Sequence, residues 1–382
     1  MSTTLTNLIP AAYEALDVVS RELVGFIPAV NRTSTADRVA KDQTLYIPVA
    51  PVNTTSNITP AMTVTAASDQ TIATKSLTIS NFKTSSFGYT GEEVYSLNGG
   101  AAAGPGSVPI MRDQIAQALR AHVNEIESAI WTAAYKAASR GYGTAGTTPF
   151  ASTLADPAQV KKILDDNGAP MAERSLVIDT TAGAALRTLG QLTKANEAAD
   201  KDLLRQGTLL DVHGFAIRES AAVTTATKGT GASYLVNNAS GYAVGSTTIA
   251  CDGGSGTILA GDLITIGSDT NKYVVTTALG GGSLVIAAPG LKVAAADDAA
   301  ITVVNTSTRN LGFSRNAILL ATRLPEVGAA DLATDRQVIT DPRSGLAFEL
   351  AIYPGYRMSR VDVALAWGLS IVKPEHLAVL LG

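Results

Sequence analysis

Residues 246–290 read STTIACDGGSGTILAGDLITIGSDTNKYVVTTALGGGSLVIAAPG. Four runs within them, 247–250, 263–266, 273–277 and 284–287, are rich in Thr, Val and Ile and are bounded by Gly and Asp clusters. β-Branched runs punctuated by turn residues predict the short strands of a small antiparallel sheet or barrel. A strand-and-helix region precedes the stretch, and the same kind of region resumes after it. The order predicts a compact β module inserted into one host domain.

Working outward on the N-terminal side, residues 175–178 (SLVI) read as a buried strand, and Thr180 as the cap of a helix reaching about Leu189. Asp156-Pro157-Ala158-Gln159 reads as a helix start, with Asp156 as N-cap and Pro157 in the first helical position. That helix is expected to end near Asn167, with Gly168 as its C-cap. Strand followed by helix predicts an α+β body. Residues 194–207 are polar and mixed in charge, as in a surface helix or loop.

Residues 107–140 predict a long helix, with Ser107 as N-cap and Pro109 in the first turn. Ile115, Leu119, His122, Ile126, Ile130 and Ala133 recur at spacings of three and four, while Arg120, Asn124, Glu127 and Lys136 fall off that seam. At ~1.5 Å per residue this makes a rod of about 45 Å, a spine on which other elements rest. Residues 141–148, rich in Gly and Thr, end it. Near the N-terminus, Ile9, Ala12, Leu16, Val19 and Leu23 mark an amphipathic helix stopped by Gly25 and Pro28.

Between these helices, residues 44–49 (TLYIPV) and 76–87 read as strands joined by a Thr-, Ser- and Asn-rich connection. Two strands without a covering layer are marginal in water. The segment therefore reads as a long hairpin that needs an outside surface, or else as a flexible loop. Past the β module, residues 317–320, 347–352, 359–366 and 369–372 are strand-like, with turns expected at Pro354-Gly355 and Trp367-Gly368. Pro374-Glu375-His376 punctuates the chain before the apolar residues 377–381. These strands need partners from before the insert, so the host domain is built from both sides of it.

Of the 382 residues, 46% are hydrophobic and only 16% charged, against roughly 25% charged in an average soluble domain. Burial of much of the surface against other subunits accounts for this, as does an Ala-rich sequence from a GC-rich genome. A net charge of −4 without a basic run argues against sequence-specific nucleic-acid recognition. Cys251 is the only cysteine, so the chain has no internal disulfide, as expected of a protein folding in a reducing compartment. No signal peptide and no run of ~18 apolar residues is present, so neither secretion nor a membrane-spanning segment is expected.

The sequence contains no phosphate-binding GxxxxGK[ST], no HExxH, no GxSxG and no CxxC. His122, His213 and His376 are far apart, and none has a second ligand at metal spacing. Glu92-Glu93, Asp165-Asp166 and Asp297-Asp298 are adjacent pairs, which diverge on a helix or strand and read as solvated faces. Asp252-Gly253-Gly254-Ser255-Gly256 lacks the spaced carboxylates of a calcium loop and the Lys of a phosphate loop, and reads as a hairpin turn. Cys251 has no His nearby and reads as a packed residue. No catalytic, cofactor-binding or metal residue is assigned, and the chain is read as non-enzymatic.

Four passages carry a family resemblance: YEALDVVSRELVGFIPAV (13–30), DQTLYIPVAP (42–51), TTIACDGGSGTILAGDLITIG (247–267) and GYRMSRVDVALAWGLSIVKPEHLAVLLG (355–382). Together with the order of elements, they resemble the major capsid (coat) proteins of tailed bacteriophages. Within that group they resemble the P22-like coats, which have the HK97-type fold with an inserted β-barrel domain. Lys373 stands where the family's tail has Arg.

The resemblance implies an N-arm over 1–30, an extended hairpin loop over 31–90, a spine helix and peripheral domain over 91–170, an axial domain over 171–225 and 305–382, and the insert over 226–304. It implies hexamers and pentamers in an icosahedral virion shell, assembled in the bacterial host cytoplasm around double-stranded DNA that is touched but not read. Scaffolding and portal partners would accompany assembly, with or without a decoration protein, and no membrane or cofactor is involved. Some relatives cross-link through a Lys–Asn isopeptide bond; Lys75 and Lys83 lie in the hairpin region, but no motif transfers that chemistry to them. Another phage structural part, an encapsulin-like shell, and a β-rich hydrolase or carbohydrate-binding protein are the alternative readings.

Overall fold

The computed structural model describes residues 23–49, 72–99, 107–190, 211–341 and 344–382, with the isolated positions 55, 57, 58, 60 and 62. The amphipathic helix expected from Ile9 (apart from its last residue, Leu23) and the polar segment at 194–207 lie outside the described residues.

The four expected β runs are the strands Thr248–Asp252, Leu263–Ile266, Lys272–Gly280 and Ser283–Ile286. Tyr234–Val236 and Ala300–Val303 join them. Every pairing among these strands is antiparallel, and Leu263–Ile266 pairs with both Lys272–Gly280 and Ala300–Val303, so the sheet closes on itself as a six-stranded barrel. Closure leaves no unpaired edge. Alternation fills the interior: Ile249 and Cys251 point inward from one strand, Leu284 and Ile286 from another, and they meet Val236, Ile264, Tyr273 and Ile301.

The barrel is continuous with the host sheet. Lys272 and Tyr273 pair with Gly141 and Arg140 of the strand Arg140–Tyr142. That strand runs parallel to Leu377–Leu381, which pairs antiparallel with Ser307–Ser314. Next come Arg174–Ile178, antiparallel, and Phe215–Glu219, parallel. Strands from before and after the insert thus interleave in one sheet. All five residues of Leu377–Leu381 are buried because both faces of the sheet are covered. Leu377, Val379 and Leu381 face the core of the long helix Ser107–Ala137; Ala378 and Leu380 face Val160, Leu164 and Leu186 of the helices Ala155–Asp166 and Thr180–Thr188.

A second sheet lies on the other side of the long helix. Its central strand, Met358–Ile371, pairs with Ile318–Pro325, Ala347–Gly355 and Asn81–Thr90. Asn31–Val39 adds in parallel to Ile318–Pro325, and Asp335–Thr340 pairs with Ala347–Gly355.

Several local expectations are corrected. The strand expected over 76–87 is two strands, Ala73–Ile79 and Asn81–Thr90, which belong to different sheets. Asn31–Val39 is a strand that its polar sequence conceals. No turn interrupts Trp367-Gly368, because Gly368 lies inside Met358–Ile371, where the Thr78 carbonyl oxygen occupies the space a Cβ would need. Helix Ala155–Asp166 starts before Asp156, and the Asp156 carboxylate accepts the Phe150 N–H at 2.8 Å. Asp179, not Thr180, caps the following helix, accepting from Thr181 and Ala182 N–H at 3.1 and 3.3 Å. The long helix buries more than the one seam expected: Val123, Glu127, Trp131 and Ala134 form a second buried row, so Glu127 is not off the buried face, while Ala133 is half-buried.

Candidate functional site

The residues that could carry chemistry are dispersed through the structure. His122 is buried against Phe348, with Nε2 3.0 Å from the Val363 carbonyl oxygen. His213 occupies a turn with φ +53°, and His376 lies in the short 3-10 helix Pro374–His376. Cys251 is buried inside the barrel, and burial pushes its thiol pKa up. Glu93 and Thr90 form a reciprocal capping box at 2.8 and 3.2 Å. Asp165 pairs with Arg174 at 2.7 Å and Asp166 with Arg140 at 3.5 Å. Both pairs of carboxylates, 92–93 and 165–166, thus include residues with structural partners beyond the solvated faces expected of them. Asp297 accepts the Asn238 N–H at 2.9 Å. Lys83 pairs with Glu125 at 3.2 Å. Among the described residues, no three His, Cys, Asp or Glu side chains converge to hold a metal, and no helix is long and apolar enough to cross a membrane.

Glu127 is the polar centre that periodicity misplaces. Only 2% exposed, it accepts the backbone N–H of Phe26 at 3.1 Å and Ile27 at 2.7 Å, a long contact from Gly25, and the Ser220 hydroxyl at 2.8 Å. Burial pushes its carboxyl pKa up, opposed by these hydrogen bonds. The clasp fixes the chain where Phe26, Ile27 and Val30 enter the core. The signal in the sequence is the row Val123, Trp131 and Ala134, which surrounds position 127 at helical spacing.

The hairpin Gln43–Val49 with Ala73–Ile79 forms a two-stranded sheet of its own. Its strands pair from Gln43 opposite Ile79 to Val49 opposite Ala73. At the base, Leu77 and Ile79 are fully buried on Val39, Ala321 and Ala366. Farther out, Tyr46 is 72% and Ile72 63% exposed, and beyond them Ile58 and Met62 are fully exposed. The outer edge of Gln43–Val49 pairs with no other described strand.

The barrel seats on the C-terminal end of the long helix. Tyr135 packs on Gly261, whose φ of +97° and lack of a Cβ allow the approach. Trp131 Nε1 donates to the Arg309 carbonyl at 2.9 Å. The Arg309 guanidinium is fully buried near Asp262 and Tyr135, and burial pushes its pKa down to about 10. Asp262 accepts the Leu259 N–H at 2.7 Å and the Gly229 N–H at 3.1 Å, holding the linker that enters the barrel.

No family model and no curated protein matches the chain. Solved structures do. The solved structures that match include phage capsids. A chain from Mycobacterium phage Che8 matches with a TM-score of 0.47 and 13% identity, over 95% of this chain and 92% of that one. The capsid structure of cyanophage P-SCSP1u matches at 0.49 and 12%, over 95% and 89%. The mature capsid of bacteriophage PhiM1 matches at 0.47 and 10%, over 95% and 88%.

Proposed function

We propose that the chain is the shell protein of a tailed bacteriophage, non-enzymatic, which assembles with copies of itself into an icosahedral capsid enclosing double-stranded DNA. The observation that carries this reading is the hairpin. Tyr46 and Ile72, and Ile58 and Met62 beyond them, are apolar side chains left in water by the rest of the described chain. Burying one such side chain is worth about 1.5–3 kcal/mol, so a neighbouring copy that covers the hairpin gains what the monomer lacks. The dispersed polar groups fit a structural role, since His122, Glu127, Asp262 and Arg309 each sit at a joint between elements.

In this reading the hairpin is part of the extended loop over 31–90, and residues 1–30 are the N-arm. The long helix is the spine of 91–170, and 171–225 with 305–382 form the axial domain. The closed barrel within 226–304 supports folding or contacts neighbouring subunits. Hexamers and pentamers would build the virion shell in the host cytoplasm with scaffolding and portal partners. Electron microscopy of the expressed chain, alone and with a scaffolding partner, tests the reading. Closed shells or capsid-like sheets support it, and a soluble monomer that hydrolyses a sugar or ester overturns it.

A further inference from the structure

A polar cleft of about 290 Å³ opens between the helix Ala155–Asp166, the strand Arg140–Tyr142 and the barrel strand Lys272–Gly280. Three cations line it, Arg140, Lys162 and Lys272, against one carboxylate, Asp166. Arg140 is 4% exposed. Its Nη1 donates to Asn271 at 3.1 Å, its Nη2 to Asn167 at 3.3 Å, and its Nε–H is buried without a hydrogen-bond acceptor. A buried donor left unsatisfied is costly, more so on a charged group. The Lys162 and Lys272 ammonium groups make no ion pair and no hydrogen bond among the described residues. Gln159 and Thr270 add neutral donors at the rim.

We infer that this cleft binds a compact tetrahedral oxyanion of the phosphate class. The inference stands independently of the capsid reading. The lining suits such a ligand: the Arg140 guanidinium supplies a planar, permanently charged group, and the two ammonium groups, one on the helix and one on the barrel strand, neutralise charge. Lys162 belongs to the host body and Lys272 to the barrel, so the anion bridges the two and fastens the insert at its seat. Asp166 opposes binding, and its pairing with Arg140 at 3.5 Å weakens that opposition.

Titration of the full-length protein with inorganic phosphate, followed by calorimetry and by phosphorus-31 line width at constant ionic strength, tests the site. Saturable binding is expected. K162Q/K272Q, altering partly or fully exposed side chains that the fold does not use, is expected to raise Kd about tenfold, equivalent to ~1.4 kcal/mol. K41Q, the same charge change on an exposed residue elsewhere, leaves Kd unchanged, and D166N lowers it. A short single-stranded oligonucleotide distinguishes the source: competition with phosphate assigns the site to nucleic-acid phosphodiesters, and no competition assigns it to a free anion. Absence of saturable binding by the wild type, or equal losses in K41Q and K162Q/K272Q, overturns the inference.

Discussion

Glu127 Oε1 accepts the backbone N–H of Ile27 at 2.7 Å across 100 residues of sequence. The carboxylate also serves Phe26 and Ser220, so one side chain of the long helix joins the entering chain to the end of the strand Phe215–Glu219. Glu127→Gln leaves a single acceptor oxygen for these donors, and its amide points hydrogens at some of them. A loss of about 1–3 kcal/mol is expected, read from urea unfolding midpoints. A variant within about 0.5 kcal/mol of wild type, the range of ordinary surface substitutions, would show that the clasp is energetically idle.

The two buried titratable groups of the long helix act in opposite directions with pH. Burial holds the folded-state pKa of His122 below its ordinary value of 6.5, so the unfolded chain takes the proton first. Its stability term is complete above pH ~6.5 and is lost as the pH falls below that value. His376, also depressed by burial, adds to this loss. Glu127, raised above its ordinary 4.5, is protonated first in the folded chain, so its term improves as the pH falls through its folded pKa. His122→Gln should flatten the decline of unfolding midpoints between pH 7 and 5. An unchanged slope would contradict the assignment.

Gly368 lets the hairpin base lie against the strand Met358–Ile371, where the Thr78 carbonyl oxygen fills the Cβ position. Gly368→Ala should displace Ala73–Ile79 and expose Leu77 and Ile79, at a cost of about 2 kcal/mol. Thermal unfolding measures the cost, and faster proteolysis at the hairpin base locates it. Wild-type values in both assays would mean that the contact is dispensable.

The barrel closes on its own core, with Val236, Ile249, Ile264, Tyr273 and Ile286 inside. Residues 226–304 expressed alone should give dispersed amide resonances. A collapsed, random-coil spectrum would show that the seat on Tyr135 and Arg140 is required for folding.

Much of this architecture was legible in the sequence, and what was hidden has a common cause. The barrel strands were visible because their β-branched runs stand between Gly and Asp turns. The long helix was visible because Ile115, Leu119, Ile126 and Ile130 keep helical spacing. Asn31–Val39 was not, since its sequence NRTSTADRV is polar and the strand is held by tertiary groups: Arg38 donates to the Pro325 carbonyl and to Glu349, each at 2.6 Å. Glu127 and Arg140 were hidden for the same reason. A charged side chain on a helix or strand reads as solvated until its partners, here 100 and 131 residues distant, are brought to it. Gly368 read as a turn because close backbone approach and turn formation favour the same residue.

The central claim is that copies of this chain cover the hairpin face carrying Tyr46 and Ile72. Electron microscopy of the wild type beside Y46D/I72D, each expressed with a scaffolding partner, tests it most directly. Closed shells are expected for the wild type, and folded but unassembled protein for the variant, with an unchanged unfolding midpoint. Shells of normal size and yield from Y46D/I72D, or a wild type that remains monomeric, would contradict it.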